Sequence, residues 1–388
     1  MRFETRPTSM GAARGGHCAP ALSARVIEDG GPRPERRGRS ASAFQALPLF
    51  NVLARRLGLE QGLADAAVGL EVLQPEEEQE VPAPLFFEAQ LGSVTGTASH
   101  DSLGAKMTEL RSRHVRHAAV LRYTLRDCLV RPSGVEWAGG SFRTRRLGMR
   151  DLVGGRLQET EDALFPLSPA SCRYFGHFLR DACATSLLRQ PGQTLLVDVP
   201  EDWPHAADYV RTFGLDAAPA GSRLVRRLKL CIDHGQGSLK TKRYREMRRR
   251  VDAVHGPRGP RTEDVYLRRG AGEGTRRSVR DEDALIDVLV RQGFRIVDVA
   301  EAGVGELARH LRRCRRIVTI EGSHLNHAHF LAPAGVDVCV LMPSDRFTLI
   351  HRGITNANGG QFGFLVCERA GDGYRVDTGR LMRLLDLF

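Results

Sequence analysis

A chain of 388 residues has room for two domains of ordinary size, and 41% hydrophobic residues supply a sizeable core, which excludes a disordered chain. Fifty-seven Lys and Arg against 46 Asp and Glu give a formal charge of +11, so an anionic partner is expected: a nucleotide, an acidic glycan, a phospholipid surface or nucleic acid. Eight cysteines with no CxxC pair exclude a zinc finger or a disulfide framework and fit free thiols in a reducing cytosol.

Residues 1–40 are rich in Gly, Pro, Arg and Ser, and such a segment buries too little apolar surface to offset ordering entropy. It is read as a disordered tail without the apolar core of a signal peptide. Residues 41–115 are read as a helical and linker extension: "SAFQALPLFNVLARRLGLEQGLADAAVGL" has helical spacing, and "PEEEQEVPAP" reads as a solvated acidic linker. No apolar run approaches the roughly 18 residues of a spanning helix. A cytoplasmic protein is expected, with peripheral membrane contact compatible with its charge.

From Arg116 the texture changes. "AAVLRYTLRDCLVRPSGVEWAGGSFRT" alternates apolar and polar residues around Pro-Ser-Gly and predicts short strands and a hairpin. "SCRYFGHFLRDACATSLLRQ" predicts a helix, and "TLLVDV", "HAADYVRTFGL", "RLKLCID" and "LKTKRYREMRRRVDAV" then alternate strand and helix. The last is strongly basic but has no nucleic-acid reading motif beside it, so it is read as a solvated face or a contact with anionic lipid. "HGPRGPRTED" marks a break between residues 116–255 and 262–388. Beyond it, "DVYLRR", "RDEDALIDVLVRQG", "RIVDVA", "GELARHLRRC", "RIVTIEG", "SHLNHAHFLAP" and "VDVCVLMP" alternate regularly, which predicts βαβ units on a parallel, Rossmann-like sheet.

Three stretches carry candidate chemistry. "IEGSHLNHAHF" stands at a strand's carboxyl end, where open parallel sheets bind ligands. Gly322 allows close backbone approach, and Ser323 is a natural N-cap before amides that attract anions. An ordinary capped turn has the same spacing. His324, His327 and His329 suggest a metal, but helical spacing turns His329 away from His327 and no HExxH accompanies them. In "YFGHFLRD", His177 and Asp181 are four apart on one helix face, where a carboxylate orients an imidazole base; a plain surface pair is the other reading. "YLRRGAGEGTRRSVRDED" offers Arg268 and Arg269 at a strand end and Arg276, Arg277 and Arg280 after a glycine-rich loop, and guanidinium groups suit diphosphate oxygens.

In order and spacing these elements, over roughly Ala118 to Pro343, resemble glycosyltransferase family 61, the capsular polysaccharide biosynthesis glycosyltransferases. The resemblance implies an α/β fold of GT-B type, with two Rossmann-like lobes: an acceptor lobe over 116–255 and a nucleotide-sugar lobe over 262–388. It implies inverting transfer from a nucleotide-sugar, commonly a UDP-sugar, to a glycan or lipid-linked acceptor, with no cofactor and no metal. Arg268, Arg269, Glu282, Glu321, Gly322, Ser323, His324 and Asn326 match its donor-binding positions, and His177 and Asp181 its catalytic ones. The chain departs from the family pattern at Asp281, where an asparagine is frequent, and in the turn "EGSH". Two other classes remain: a non-catalytic nucleotide-sugar-binding protein of the same fold, and a metal-dependent hydrolase built on the histidines.

Overall fold

The computed structural model describes residues 44–98, 101–148, 157–270 and 277–388. The tail over residues 1–40, Arg276 and most of the glycine-rich loop lie outside the described residues. Two large sheets with flanking helices give the expected α/β class.

The first sheet has eight strands in the order Gly140–Arg143, Gly134–Trp137, Val120–Arg131, Arg223–Ile232, Gln158–Phe165, Thr194–Leu196, Ala217–Ala218, with Gly69–Gln74 beside Val120–Arg131. Its first three strands form an antiparallel meander that contains the expected hairpin, because tight turns join only antiparallel neighbours. Pairing is parallel from Arg223–Ile232 onward. This sheet is therefore mixed, with the expected hairpin at one edge and parallel strands at the other.

The second sheet has the order Arg295–Asp298, Glu263–Arg268, Cys314–Ile320, Asp337–Pro343, Phe362–Ala370, Gly373–Arg375. Its first five strands are parallel, and only the last is antiparallel. Val265, Leu267, Ile317, Val338 and Val340 face one core, while Tyr266, Val318, Ile320, Cys339 and Leu341 face another. Helices cover both faces, which is why these strands read as continuous apolar runs.

The stretch read as one helical segment divides into helices Leu47–Arg56 and Leu63–Ala66 and the strand Gly69–Gln74. Gly58, at φ +69°, interrupts the helical period. The stretch read as an acidic linker contains the strand Glu77–Glu80, paired with His114–His117. Leu85 bonds the second sheet at Phe362 and Phe364, at 2.9 Å each. Arg352, 4% exposed, donates to the carbonyls of Pro82, Glu109, Leu110 and Ser112. These bonds satisfy the Pro82 carbonyl and those at the end of helix Leu103–Arg111 with one guanidinium and fix the segment to helix Ile350–Ala357.

The basic helix Ser238–His255 is the main departure from expectation. It buries Lys240, Arg243, Tyr244, Met247, Arg248 and Val251, a spacing of three and four that makes one inward face. Three of its cations are packed, while Lys242, Arg245 and Arg249 on the other side are exposed. Arg248 donates to the carbonyls of His329 at 2.5 Å and Ala332 at 2.7 Å; burial, then Arg258, push it down to about 9. Arg258 takes the carbonyls of Phe330 and Leu331. Together they satisfy the end of helix Leu325–Leu331, where cations are favoured. Among the described residues no helix is long and apolar enough to cross a membrane.

Candidate active site

The helical segment after Tyr174 is α over Phe175–His177, π over Phe178–Cys183 and α again over Ala184–Ser186. A π-turn widens the helix by one residue and recurs at functional sites. Here it carries Arg180 and Asp181 beside His177. His177 Nδ1 lies 2.6 Å from Asp181 Oδ2, and Arg180 Nη2 lies 3.1 and 3.3 Å from the two ring nitrogens. Lys240, only 1% exposed, donates to Asp181 Oδ1 at 2.9 Å and to the Asp233 carbonyl at 2.9 Å. Arg243 Nη2 completes the network 2.8 Å from Asp233 Oδ2. Burial works to raise the Asp181 pKa, but Lys240, the bond from His177 and Arg180 outweigh it and hold the carboxyl below the usual range. Asp181 is thus ionised and accepts from Nδ1–H, which leaves the lone pair of His177 on Nε2.

Gly176 explains how this segment meets the second sheet. A Cβ there would lie 2.5 Å from Asn326 Nδ2 and 3.4 Å from Ser323 Cα, so only glycine allows the approach. Asn326, 1% exposed, donates from Nδ2 to the Ser323 carbonyl at 2.9 Å and braces the turn. Ser323 is not the N-cap: that position is His324, and no side chain caps the helix. The amides of Leu325, Asn326 and His327 donate to Gly322, Ser323 and His324 carbonyls in tight turn bonds. The amides that can meet an anion are therefore those of the turn itself and not the first helical turn.

Around Glu321 the charge is positive. Arg277 Nη1 pairs with Glu321 Oε2, and both side chains are largely buried. Arg269 is pushed down to about 10 by burial and by Arg277 and Arg346, against the opposing pull of Glu321. Arg269 is thus influenced by two other guanidinium groups and by one carboxylate. The Nε atoms of Arg277 and Arg346 are buried without a hydrogen-bond partner, a demand that an anionic ligand would meet.

The three histidines have separate partners. Thr319 Oγ1 donates to the Leu267 carbonyl at 2.7 Å, so at 2.6 Å it accepts from His324 Nε2–H. His324 Nδ1 then keeps a buried, unpartnered lone pair next to Gly322. His327 Nδ1 meets Tyr209 OH at 2.8 Å, and His329 Nε2 meets His351 Nδ1 at 3.2 Å. Burial first, then neighbouring cations or imidazoles, holds all three well below the usual imidazole value. Among the described residues no group of three or more His, Cys, Asp or Glu is arranged to hold a metal ion.

His351 connects the two halves. Buried at 3% exposure, it is pushed down to about 3 by burial and by Arg180, Arg277 and His177, against a bond to the Gly322 backbone. His177 and the Gly322 turn thus border one region. Arg268 and Glu282 do not join it. Arg268 Nε donates to Glu282 Oε2 at 3.0 Å, Tyr266 OH donates to Glu282 Oε1 at 2.7 Å, and Asp298 lies 3.8 Å from Arg268 Nη1. Strand alternation sends Arg268 to the face of Tyr266, opposite Leu267. Asp281, in the left-handed region at φ +54°, starts the helix that presents Glu282 to this pair; Arg280 is half-exposed beside Asp281.

Sequence reasoning missed Arg180, Asp233, Lys240, Arg346 and His351. Arg180 lies inside "YFGHFLRD", three residues after His177, and Lys240 opens the inward stripe of the basic helix, so both left a signal. His351 and Arg346 follow the last strand of the recognised pattern and left none.

Residues 175–339 match the family model described as Glycosyltransferase 61, which supports a glycosyltransferase. The matched span includes His177, Asp181, Lys240, Arg269, Arg277 and the Glu321–Asn326 turn, and ends before Arg346 and His351. No curated protein matches this chain.

Proposed function

We propose that this chain is an inverting glycosyltransferase of GT-B type that transfers a sugar from a nucleotide-sugar, a UDP-sugar in the first instance, to a glycan or lipid-linked acceptor in surface polysaccharide synthesis. Residues 116–255 would form the acceptor lobe and 262–388 the donor lobe. The observation that carries this reading is the convergence of an oriented His177–Asp181 pair and an arginine-rich turn on His351.

His177 Nε2 takes the proton of the acceptor hydroxyl as its oxygen attacks the anomeric carbon. The bond from that carbon to the phosphate oxygen breaks, and the nucleoside diphosphate departs with the electron pair. Asp181 holds the imidazole tautomer and stabilises the imidazolium that forms. Arg180 Nη2, 3.3 Å from Nε2, must yield its place to the acceptor. Arg269, Arg277 and Arg346 take the charge of the leaving diphosphate; guanidinium groups repel cations, so this donor set fits a reaction that needs no metal at the phosphates. The His324 lone pair suits a donor hydrogen of the nucleotide.

The test is a thermal-shift screen against nucleoside diphosphates and nucleotide-sugars, followed by transfer assays on His177→Ala. A shift with one nucleotide is expected, because a ligand that binds only the folded state raises the melting temperature. His177→Ala should keep that shift and lose transfer. No shift with any nucleotide, or wild-type turnover in the variant, overturns the assignment.

A further inference from the structure

Arg180 stands beside the candidate base with a charge that its carboxylate neighbours do not balance. Its side chain is 3% exposed. Nη2 meets the two ring nitrogens of His177, and Nε is buried without a hydrogen-bond partner. Among the described residues the carboxylate facing it is Asp181, whose Oδ1 lies 3.9 Å from Nε, beyond hydrogen-bond reach. Both oxygens of that carboxylate are already engaged, Oδ1 by Lys240 and Oδ2 by His177, and Asp233 is shared by Lys240 and Arg243. Two carboxylates thus stand among three cations, Arg180, Lys240 and Arg243. His329 and His351, which also lie in the field of Arg180, are held neutral, by burial first, and bring no negative charge. The diphosphate of the donor answers Arg269, Arg277 and Arg346 and leaves Arg180 as it is. A buried guanidinium is stable when an anion takes its N–H groups, so Arg180 is the group that an incoming anion would satisfy.

We propose that the acceptor is an anionic sugar, and that Arg180 takes its charged group while His177 takes the proton of a hydroxyl on the same ring. This inference rests on the reading of His177 as the base. Nη2 and Nε2 are 3.3 Å apart, a spacing that two neighbouring substituents of one sugar can bridge. A hydroxyl that approaches Nε2 displaces Nη2 from the imidazole, and the guanidinium then turns its fork to the carboxylate or phosphate beside that hydroxyl. Tyr174 supplies the platform. Its side chain is 45% exposed, and its ring stands 5.9 Å from the His177 ring, centroid to centroid, at 47°. An exposed aromatic face packs against the C–H face of a pyranose, so the acceptor ring rests there beside His177. The exposed Arg173 holds a second guanidinium 5.3 Å from the Tyr174 centroid and adds positive charge on the approach.

The experiment is calorimetric titration of the full-length chain, without nucleotide and with UDP, by methyl glucuronoside, by glucose phosphorylated at its primary hydroxyl, and by methyl glucoside. At least one of the two anionic sugars should bind about tenfold or more tightly than methyl glucoside, the advantage of one charge-assisted hydrogen bond. Preference for the glucuronoside identifies a uronic acid, and preference for the phosphate a phosphorylated sugar. Arg180→Met should abolish the advantage, and Arg180→Lys should keep part of it. Tyr174→Ala should weaken all three sugars by about threefold or more and keep the advantage. Near-UV circular dichroism checks that each variant is folded. The nucleotide thermal shift is read in parallel: its absence in the wild type counts against the transferase reading, while the sugar preference is decided by the titrations alone. Equal affinity for charged and neutral sugars, no binding of either anionic sugar, an advantage that survives in Arg180→Met, or Tyr174→Ala that binds like wild type would each overturn the proposal.

Discussion

Lys240→Met tests the charge network behind His177. Lys240 Nζ is 2.9 Å from Asp181 Oδ1 and 3.7 Å from Asp233 Oδ1, and its side chain is 1% exposed. Methionine keeps the volume and removes the charge, so Asp181 loses its nearest cation while remaining largely enclosed. Breaking a buried pair by removing one partner costs about 3–5 kcal/mol. At about 2 °C per kcal/mol for a chain of this size, the melting temperature should fall by about 6–10 °C at pH 7. The pH dependence has a definite sign. The folded Asp181 pKa lies below the unfolded value of about 3.9, so its contribution is present above that pH and lost as pH falls through the acid range. The gap between wild type and variant should therefore be full at pH 7 and narrow below about pH 4. Asp181→Asn in the same chain removes the stranded charge, so the double variant should be more stable than the sum of the single losses by about 1 kcal/mol or more. Guanidinium unfolding of the four proteins at several pH values measures this. Strict additivity, or a gap that is constant into acid, would refute the coupling.

Gly176→Ala should cost about 1–3 kcal/mol by overpacking against Asn326, and misplacement of the turn should lower transfer by up to about 100-fold. Gly104→Ala, whose Cβ would meet nothing within 4 Å, is the control, and equal behaviour of the two would contradict the close approach. Arg277→Met leaves Glu321 without its ion-pair partner and removes one guanidinium from the turn; calorimetric affinity for a nucleoside diphosphate should fall by about 10- to 150-fold, as expected for a charged hydrogen bond. Four buried imidazoles, His324, His327, His329 and His351, are held neutral in the fold but protonate near pH 6.5 when unfolded. Their contribution is thus present above about pH 6.5 and lost on acidification, by about 1.4 kcal/mol each at pH 5.5. A melting temperature unchanged between pH 7.5 and 5.5 would show that they are not buried neutral.

The sequence alone determined the parts whose signals are local. The parallel second sheet was legible because both faces of its strands are buried, so Ile317–Ile320 and Val338–Pro343 read as short, almost continuous apolar runs. His177 and Asp181 were legible because four residues span one helical turn, a spacing that survived even the π-turn between them. The Glu321–Asn326 turn was legible as a strand followed by glycine and a helix. Only the tertiary structure decided the rest. The basic helix reads as solvated because composition cannot show that Lys240 and Arg248 find a carboxylate and helix-end carbonyls from distant segments. Arg268 and Arg269 are neighbours in the chain, but strand alternation sends one to Glu282 and the other toward Glu321. His351 has no local motif. Its place between Arg180, Arg277 and Gly322 depends on packing across more than a hundred residues of chain, which no spacing rule encodes.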